Sequence, residues 1–294
     1  MILGRQFDLA ALAKAKGLRR QTFTLPPNAP RLAFEQTLER IIRRVIAPAI
    51  QMRPDILASA AALRSSLTQD AFTLSTIMAA LRGAFSQQMM LAEGPIASLF
   101  GAEGRRHGER WMDQVNRVIG VDLQAVVRGS DIAPAIEIAT RANVALIKGL
   151  SDEVAKKIET SVLDLVSRGA SNKEIASALA EIGTFGKARA KLIAVDQAES
   201  FNASLNQIRQ EQAGVTSYVW STSRDRRVRP LHRAREGQTF RWDSPPSDGH
   251  PGRPVRCRCV ARAVLDLNDV PAKRSPRARR AGTAAVAEAL GLSP

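Results

Sequence analysis

A chain of 294 residues, 45% hydrophobic but only 4% aromatic, is long enough to bury more than one core and is rich in residues that favour helix over sheet. Its formal net charge of +15 directs it toward polyanions, nucleic acid first among them, or toward an acidic protein face. Two cysteines two residues apart exclude a secreted disulfide framework and fit a reducing cytoplasm, and no apolar run approaches the roughly 18 residues of a membrane span.

Met1 to Arg20 mixes Arg5, Asp8, Lys14 and Lys16 into its apolar residues and has no signal-peptide core, so no export is expected. Residues 1–30 read as a short basic segment closed by the proline-rich break from Thr24 to Pro30. A first helix starts near Arg31, with Phe34, Leu38, Ile41, Val45 and Ala49 on one face and Arg40, Arg43 and Arg44 away from it. Pro48 kinks its end, and Pro54 ends it or opens the next helix. Ile56, Ala60, Leu63 and Leu67 predict a second helix, and Leu74, Ile77, Met78, Leu81, Phe85 and Met89 a third. Each stripe needs a partner, which predicts an antiparallel helical bundle over 31–130. Gly101 to Gly108 lacks the Gly-Lys-Ser/Thr end of a phosphate loop and reads as a loop or weakened helix with His107 exposed. The break at Arg128-Gly129-Ser130-Asp131 and Pro134 marks a boundary between this bundle and a second domain over 134–270.

From there Ser151 reads as the cap of a helix carrying Val154, Ile158, Val162 and Leu165, stopped by Gly169. Ser171-Asn172-Lys173-Glu174 is a capping box opening a helix through Ile175, Leu179 and Ile182 that Gly183 ends. The two form a helical hairpin. A long helix follows from Lys187 to Gln212, with Ala194, Ala198, Phe201, Leu205 and Ile208 inward and Asp196, Glu199, Asn202 and Asn206 as a solvated stripe. Val215 to Thr222 predicts a strand, with Thr239–Trp242 and Val255–Val260 as its partners. The fold class is therefore mainly α: an N-terminal helical bundle, then a helical hairpin plus long helix, and a small α+β C-terminal unit with a short sheet. Residues 271–294 form a basic tail that is disordered in isolation by composition, with Ala284 to Leu290 able to form one docking helix.

Rare side chains concentrate between Tyr218 and Ala263: both cysteines, two of three histidines, the only tyrosine and two of three tryptophans. His232-x17-His250-x6-Cys257-x-Cys259 can complete a tetrahedral zinc shell, and four protein ligands would make that metal structural. In extended chain Cys257 and Cys259 share a face, as a period of two requires, while a disulfide between them would be strained. Packing alone is the competing account, with His232 bonded to Asp225 and the cysteines as small buried residues. Asp225, His232 and His250 would also suit a metal-dependent nuclease or hydrolase, but no carboxylate stands beside the histidines as acid or base. Arg224, Arg226, Arg227, Arg229, Arg233 and Arg235, with a second cluster at Lys273, Arg274, Arg277, Arg279 and Arg280, predict sequence-independent contact with double-stranded DNA. No helix-turn-helix or zinc-finger helix with base-reading residues supports a nucleic-acid-binding regulator.

The pattern from Trp220 through Cys259 resembles the C-terminal signature of tailed-phage minor head proteins, the Mu F-like or phage head morphogenesis family. Trp220, Asp225, Val228, Arg229, His232, Gly237, Pro251, Cys257, Arg258 and Cys259 carry it. The likeness extends from about Asn143 to Ala263 and includes Phe201-Asn202, but the family's usual Arg-Thr-Glu is replaced by Ala194-Val195-Asp196. The resemblance implies a structural rather than enzymatic role in capsid assembly, inside the head near the portal, in contact with packaged DNA. It implies as partners the portal protein, the scaffold or major capsid protein and other copies of the chain, with no membrane. Residence would be in the virion after assembly in the host cytoplasm, with a link to DNA ejection.

Overall fold

The computed structural model describes residues 6–18, 22–28, 32–65 and 70–267. In order they form α1 (Leu9–Ala15), β1 (Thr22–Thr24), α2 (Leu32–Val45), α3 (Pro48–Gln51), α4 (Arg53–Ser65), α5 (Asp70–Ile119), a 3-10 turn at Gly129–Ile132, α6 (Ala133–Ser167) and α7 (Asn172–Gln212). Then come β2 (Ser217–Ser221), α8 (Pro230–Ala234), β3 (Thr239–Arg241) and β4 (Val260–Asp266). The strands form one antiparallel sheet in the order β1-β4-β2-β3. The chain is thus mainly helical with a small sheet, as its composition and periodicity indicate. No helix among the described residues is long and apolar enough to cross a membrane.

Two compact units form, neither contiguous in sequence. Segments 31–130 and 134–270, which the sequence separates at Arg128 to Pro134, each contribute to both. One unit comprises Gln36–Ser98 and Asn143–Ala194. Its core gathers the predicted stripes: Leu38 and Val45 from α2, Ile56 and Ala60 from α4, Leu81 and Phe85 from α5, Val154 and Ile158 from α6, and Ile175 and Leu179 from α7. Gly169, with φ of 71°, ends α6 as read from sequence, and the Ala170 amide bonds back to the Leu165 carbonyl at 2.9 Å. The capping box at Ser171 is also present, the Ser171 amide donating to Glu174 Oε2 at 2.7 Å and the Glu174 amide to Ser171 Oγ at 3.3 Å. Ser171→Ala is expected to cost about 1 kcal/mol of unfolding free energy in urea titrations.

Two helix boundaries differ from the sequence reading. Ser151 lies inside α6 rather than capping it, and its hydroxyl is occupied by the Ile147 carbonyl one turn back at 3.1 Å. Gly183 does not stop α7, which runs unbroken for 41 residues. Close approach explains Gly186: a Cβ there would lie 3.1 Å from Ile46 Cδ1, so a small residue lets α7 pack against that side chain.

The other unit comprises Met1–Glu35, Leu99–Ala142 and Val195–Pro294. Residues 6–28, read as part of a separate basic segment, are built into it. β1 pairs with β4 through Phe23 and Leu265, and the Leu9 amide donates to the Ala213 carbonyl. Leu9, Phe23, Leu25, Trp111, Val115, Val215 and Leu265 share one core cluster. α5 passes through Gly101 to Gly108 without a loop, and Gly104 serves packing there: a Cβ on it would sit 2.9 Å from Ile132 Cδ1. His107 is consequently buried rather than exposed, at 0% accessibility, with Nε2 3.1 Å from Asn206 Oδ1.

The polar stripe of α7 is likewise not solvated: Glu199, Asn202 and Asn206 are 6%, 3% and 2% exposed. Asn202 and Asn206 both donate to the Asn28 carbonyl, at 2.8 and 3.0 Å, while Arg110 holds the Asn28 side chain at 2.9 Å. These bonds pair side-chain N–H groups that burial would otherwise leave without acceptors.

Candidate metal centre

Alternation along β2 turns Tyr218 and Trp220 to one face, where both are fully buried. Phe240, Trp242, Ala261 and the two cysteines complete that apolar cluster. Gly237, with φ of 76°, makes the turn that returns the chain from α8 to β3, its amide donating to the Trp220 carbonyl. The candidate strand at Val255–Val260 begins only at Val260, because the Cys257 amide closes a turn onto Pro254 and Arg256 takes φ of 59°. Both cysteines therefore lie in the loop entering β4. That loop is anchored by Asp196, which accepts from the Arg256 amide at 2.7 Å, and by Gly252, where a Cβ would stand 2.7 Å from Ala203 Cβ.

The loop and α8 converge. His232 Nδ1 lies 3.4 Å from Cys257 Sγ and 3.6 Å from Cys259 Sγ, and the three residues are 2%, 3% and 4% exposed. Among the described residues they are the group of potential ligands whose donor atoms all fall within 4.8 Å of one another. A zinc ion with bonds of about 2.3 Å to sulfur and about 2.0 Å to nitrogen, at tetrahedral angles, separates those atoms by about 3.6 Å, so the observed spacings and the Cys2His donor set fit zinc. In the thiol pair, the hydrogen bond from Cys259 holds the Cys257 pKa below the ordinary thiol value, while that same bond and burial push Cys259 up.

His250, the fourth expected ligand, is not in this group. Its Nδ1 pairs with the Tyr218 hydroxyl at 2.8 Å, its ring packs on Trp242, and burial lowers its pKa to about 4. Asp225 does not meet His232 either. It accepts from Arg258 at 2.7 Å and from the Arg227 amide at 2.9 Å, so the constellation Asp225, His232, His250 for a hydrolase does not assemble. The carboxylate on His232 is instead Asp248, whose Oδ2 lies 2.8 Å from Nε2. Arg235 grips the other oxygen of Asp248 and places its guanidinium 4.9 Å over the Trp220 ring. Neither the Asp248 role nor the buried Glu199 was signalled by spacing. Burial, then Glu35 and Cys257, raises the Glu199 pKa to about 8.

Arg235, at 8% exposure, is therefore committed to the interior and unavailable to DNA. Arg224, Arg226, Arg227, Arg229 and Arg233 are exposed, with Arg224 also paired to Glu236 and Arg229 donating to the Val255 carbonyl. Arg224, Arg226 and Arg233 line an open cavity of about 460 Å³ together with Asp225 and Glu236. Lys273, Arg274, Arg277, Arg279 and Arg280, like the segment Ala284 to Leu290, lie outside the described residues.

Residues 156–262 match the family described as Phage Mu protein F like protein. An uncharacterized protein of Haemophilus influenzae is 36% identical over 193 residues, which cover 65% of this chain and 42% of that protein. The chain thus spans about two fifths of that relative's length. No solved structure matches.

Proposed function

We propose that this chain, whose residues 156–262 carry the phage Mu F-like region, is a structural minor head protein of a tailed phage that acts in head morphogenesis. The family match carries this reading. It spans every residue of the converging site, His232, Cys257 and Cys259, and the stretch from Trp220 to Cys259 that carries the resemblance. A structural rather than enzymatic role is supported by the site itself: His232, Cys257 and Cys259 are buried under Trp220 and offer their donor atoms to one another instead of to a substrate cleft. In this reading the three hold a zinc ion that ties α8 to the loop entering β4, with its fourth position filled by no side chain of the cluster. The bound ion would supply cross-linking of a segment with a small apolar core.

The protein acts near the portal, inside the head, after assembly in the host cytoplasm. Helices of the 31–130 segment dock to the portal, the scaffold or major capsid protein, or other copies. α5 exposes Met90 and Leu91 at 72% and 65%, which supplies apolar surface for such contact. The exposed arginines around Arg226, with the basic tail, contact packaged DNA. Binding of a duplex of arbitrary sequence is expected to weaken steeply with salt, each phosphate contact adding about −0.9 to the log-log slope. Arg226→Ala with Arg233→Ala should flatten that slope by nearly two contacts. Salt-independent binding, or strong preference for one sequence, would contradict DNA contact. Portal displacing DNA from these arginines would reassign them to the protein interface.

A further inference from the structure

We infer that Asp248 is the residue that positions His232 for metal binding and that Arg235 positions Asp248; this rests on the zinc reading above. Imidazole has two nitrogens, and only the one without a proton can bind a metal. The carboxylate of Asp248 at 2.8 Å from Nε2 accepts the ring proton there, which leaves the lone pair on Nδ1, the nitrogen facing both sulfurs at 3.4 and 3.6 Å. A carboxylate behind a ligating histidine also makes the ring more basic and fixes its orientation.

The surroundings keep Asp248 in place. The turn that carries it closes through the Gly249 amide on the Pro246 carbonyl at 2.9 Å, with Gly249 at φ of 90°. Arg235, one turn beyond His232 and itself buried, donates to Asp248 Oδ1 and stacks on Trp220, whose ring edge also meets His232 at 5.1 Å. The metal ligand and the arginine behind its carboxylate thus both pack on one aromatic ring. His250 stands outside this group: its ligand atoms do not fall within the cluster, and its ring is held by Tyr218 and Trp242 instead.

The test is zinc affinity of the full-length reduced chain, measured by competition with a chromogenic chelator, for wild type and for Asp248→Asn, Asp248→Ala and Asp243→Ala. Asp243 is an exposed acid from the same loop that pairs with Arg241 and is the control. Asp248→Ala should weaken zinc binding about 10- to 100-fold, Asp248→Asn less because its amide oxygen still accepts the Nε2 proton, and Asp243→Ala not at all. Cobalt loaded in place of zinc should show thiolate-to-cobalt charge-transfer bands in Asp248→Asn as in wild type, because both thiolates still bind. Wild-type affinity in both Asp248 variants overturns the inference while leaving the zinc centre intact. Loss of the cobalt bands in Asp248→Asn overturns it too, by showing a scaffold role instead of an orienting one. A wild-type chain that takes up neither ion overturns the zinc reading and this inference with it.

Discussion

Cys257→Ser is expected to abolish zinc binding and the cooperative unfolding of the C-terminal sheet together. The magnitude separates this from a packing effect. A structural zinc contributes about 10 kcal/mol in small metal-dependent folds, comparable to the roughly 5–15 kcal/mol that stabilises an ordinary domain. The cluster around the site consists of Tyr218, Trp220, Trp242, Ala261 and the two cysteines, with Phe240 against it, which is little apolar mass to hold α8 and three loop segments. Were the cysteines only small buried groups, serine would cost about 1–3 kcal/mol for an imperfectly paired hydroxyl, and a chelator would leave the wild-type melt unchanged. Thermal melts with and without chelator, alongside metal content, make the comparison. We expect the wild type in chelator to match the variant.

The second large effect is acid destabilisation through His107. Burial, reinforced by Arg110, lowers its pKa from 6.5 to about 3, so the folded chain keeps this ring neutral where the unfolded chain protonates it. Between those values the unfolded state binds the extra proton. Stability therefore rises with pH across that window and is lost as pH falls from 6.5 toward 3, by on the order of 3 kcal/mol at pH 4. Glu199 has the opposite sign: its raised pKa means the folded state holds a proton that the unfolded state has released, so its contribution declines from pH 4.5 upward to about 8. The His107 effect is isolated as the difference in pH slope between wild type and His107→Gln. Denaturant titrations at pH 4 to 7 should show the wild type losing stability on acidification that the variant keeps. Parallel curves would mean that the buried ring takes up its proton without cost.

What the sequence made legible follows from how local each cause is. The helix stripes, the Ser171 capping box and the Gly169 stop depend on neighbours within a few residues, and among the described residues all three are present, with Ile42 rather than Ile41 buried in α2. Gly104 read as part of a loop because its reason is a distant side chain that needs the missing Cβ, which no local pattern encodes. The α7 stripe looked solvated for the same reason: Asn28, which Asn202 and Asn206 clasp, is more than 170 residues away in sequence. At the candidate metal centre, three of the four residues read as ligands from type and spacing, His232, Cys257 and Cys259, lie together. His250 fitted the spacing equally well, but the fold pairs it with Tyr218 and packs it on Trp242, outside the cluster. Asp248 carries no periodic or motif signal, so its place behind His232 emerges from the three-dimensional pairing alone.

We propose that this chain is a built-in part of a phage head. Purified, DNA-filled particles should contain it in a fixed ratio to portal, with density for the chain located next to the portal inside the shell. Particles that lack the chain while it accumulates free in infected cells would contradict the account.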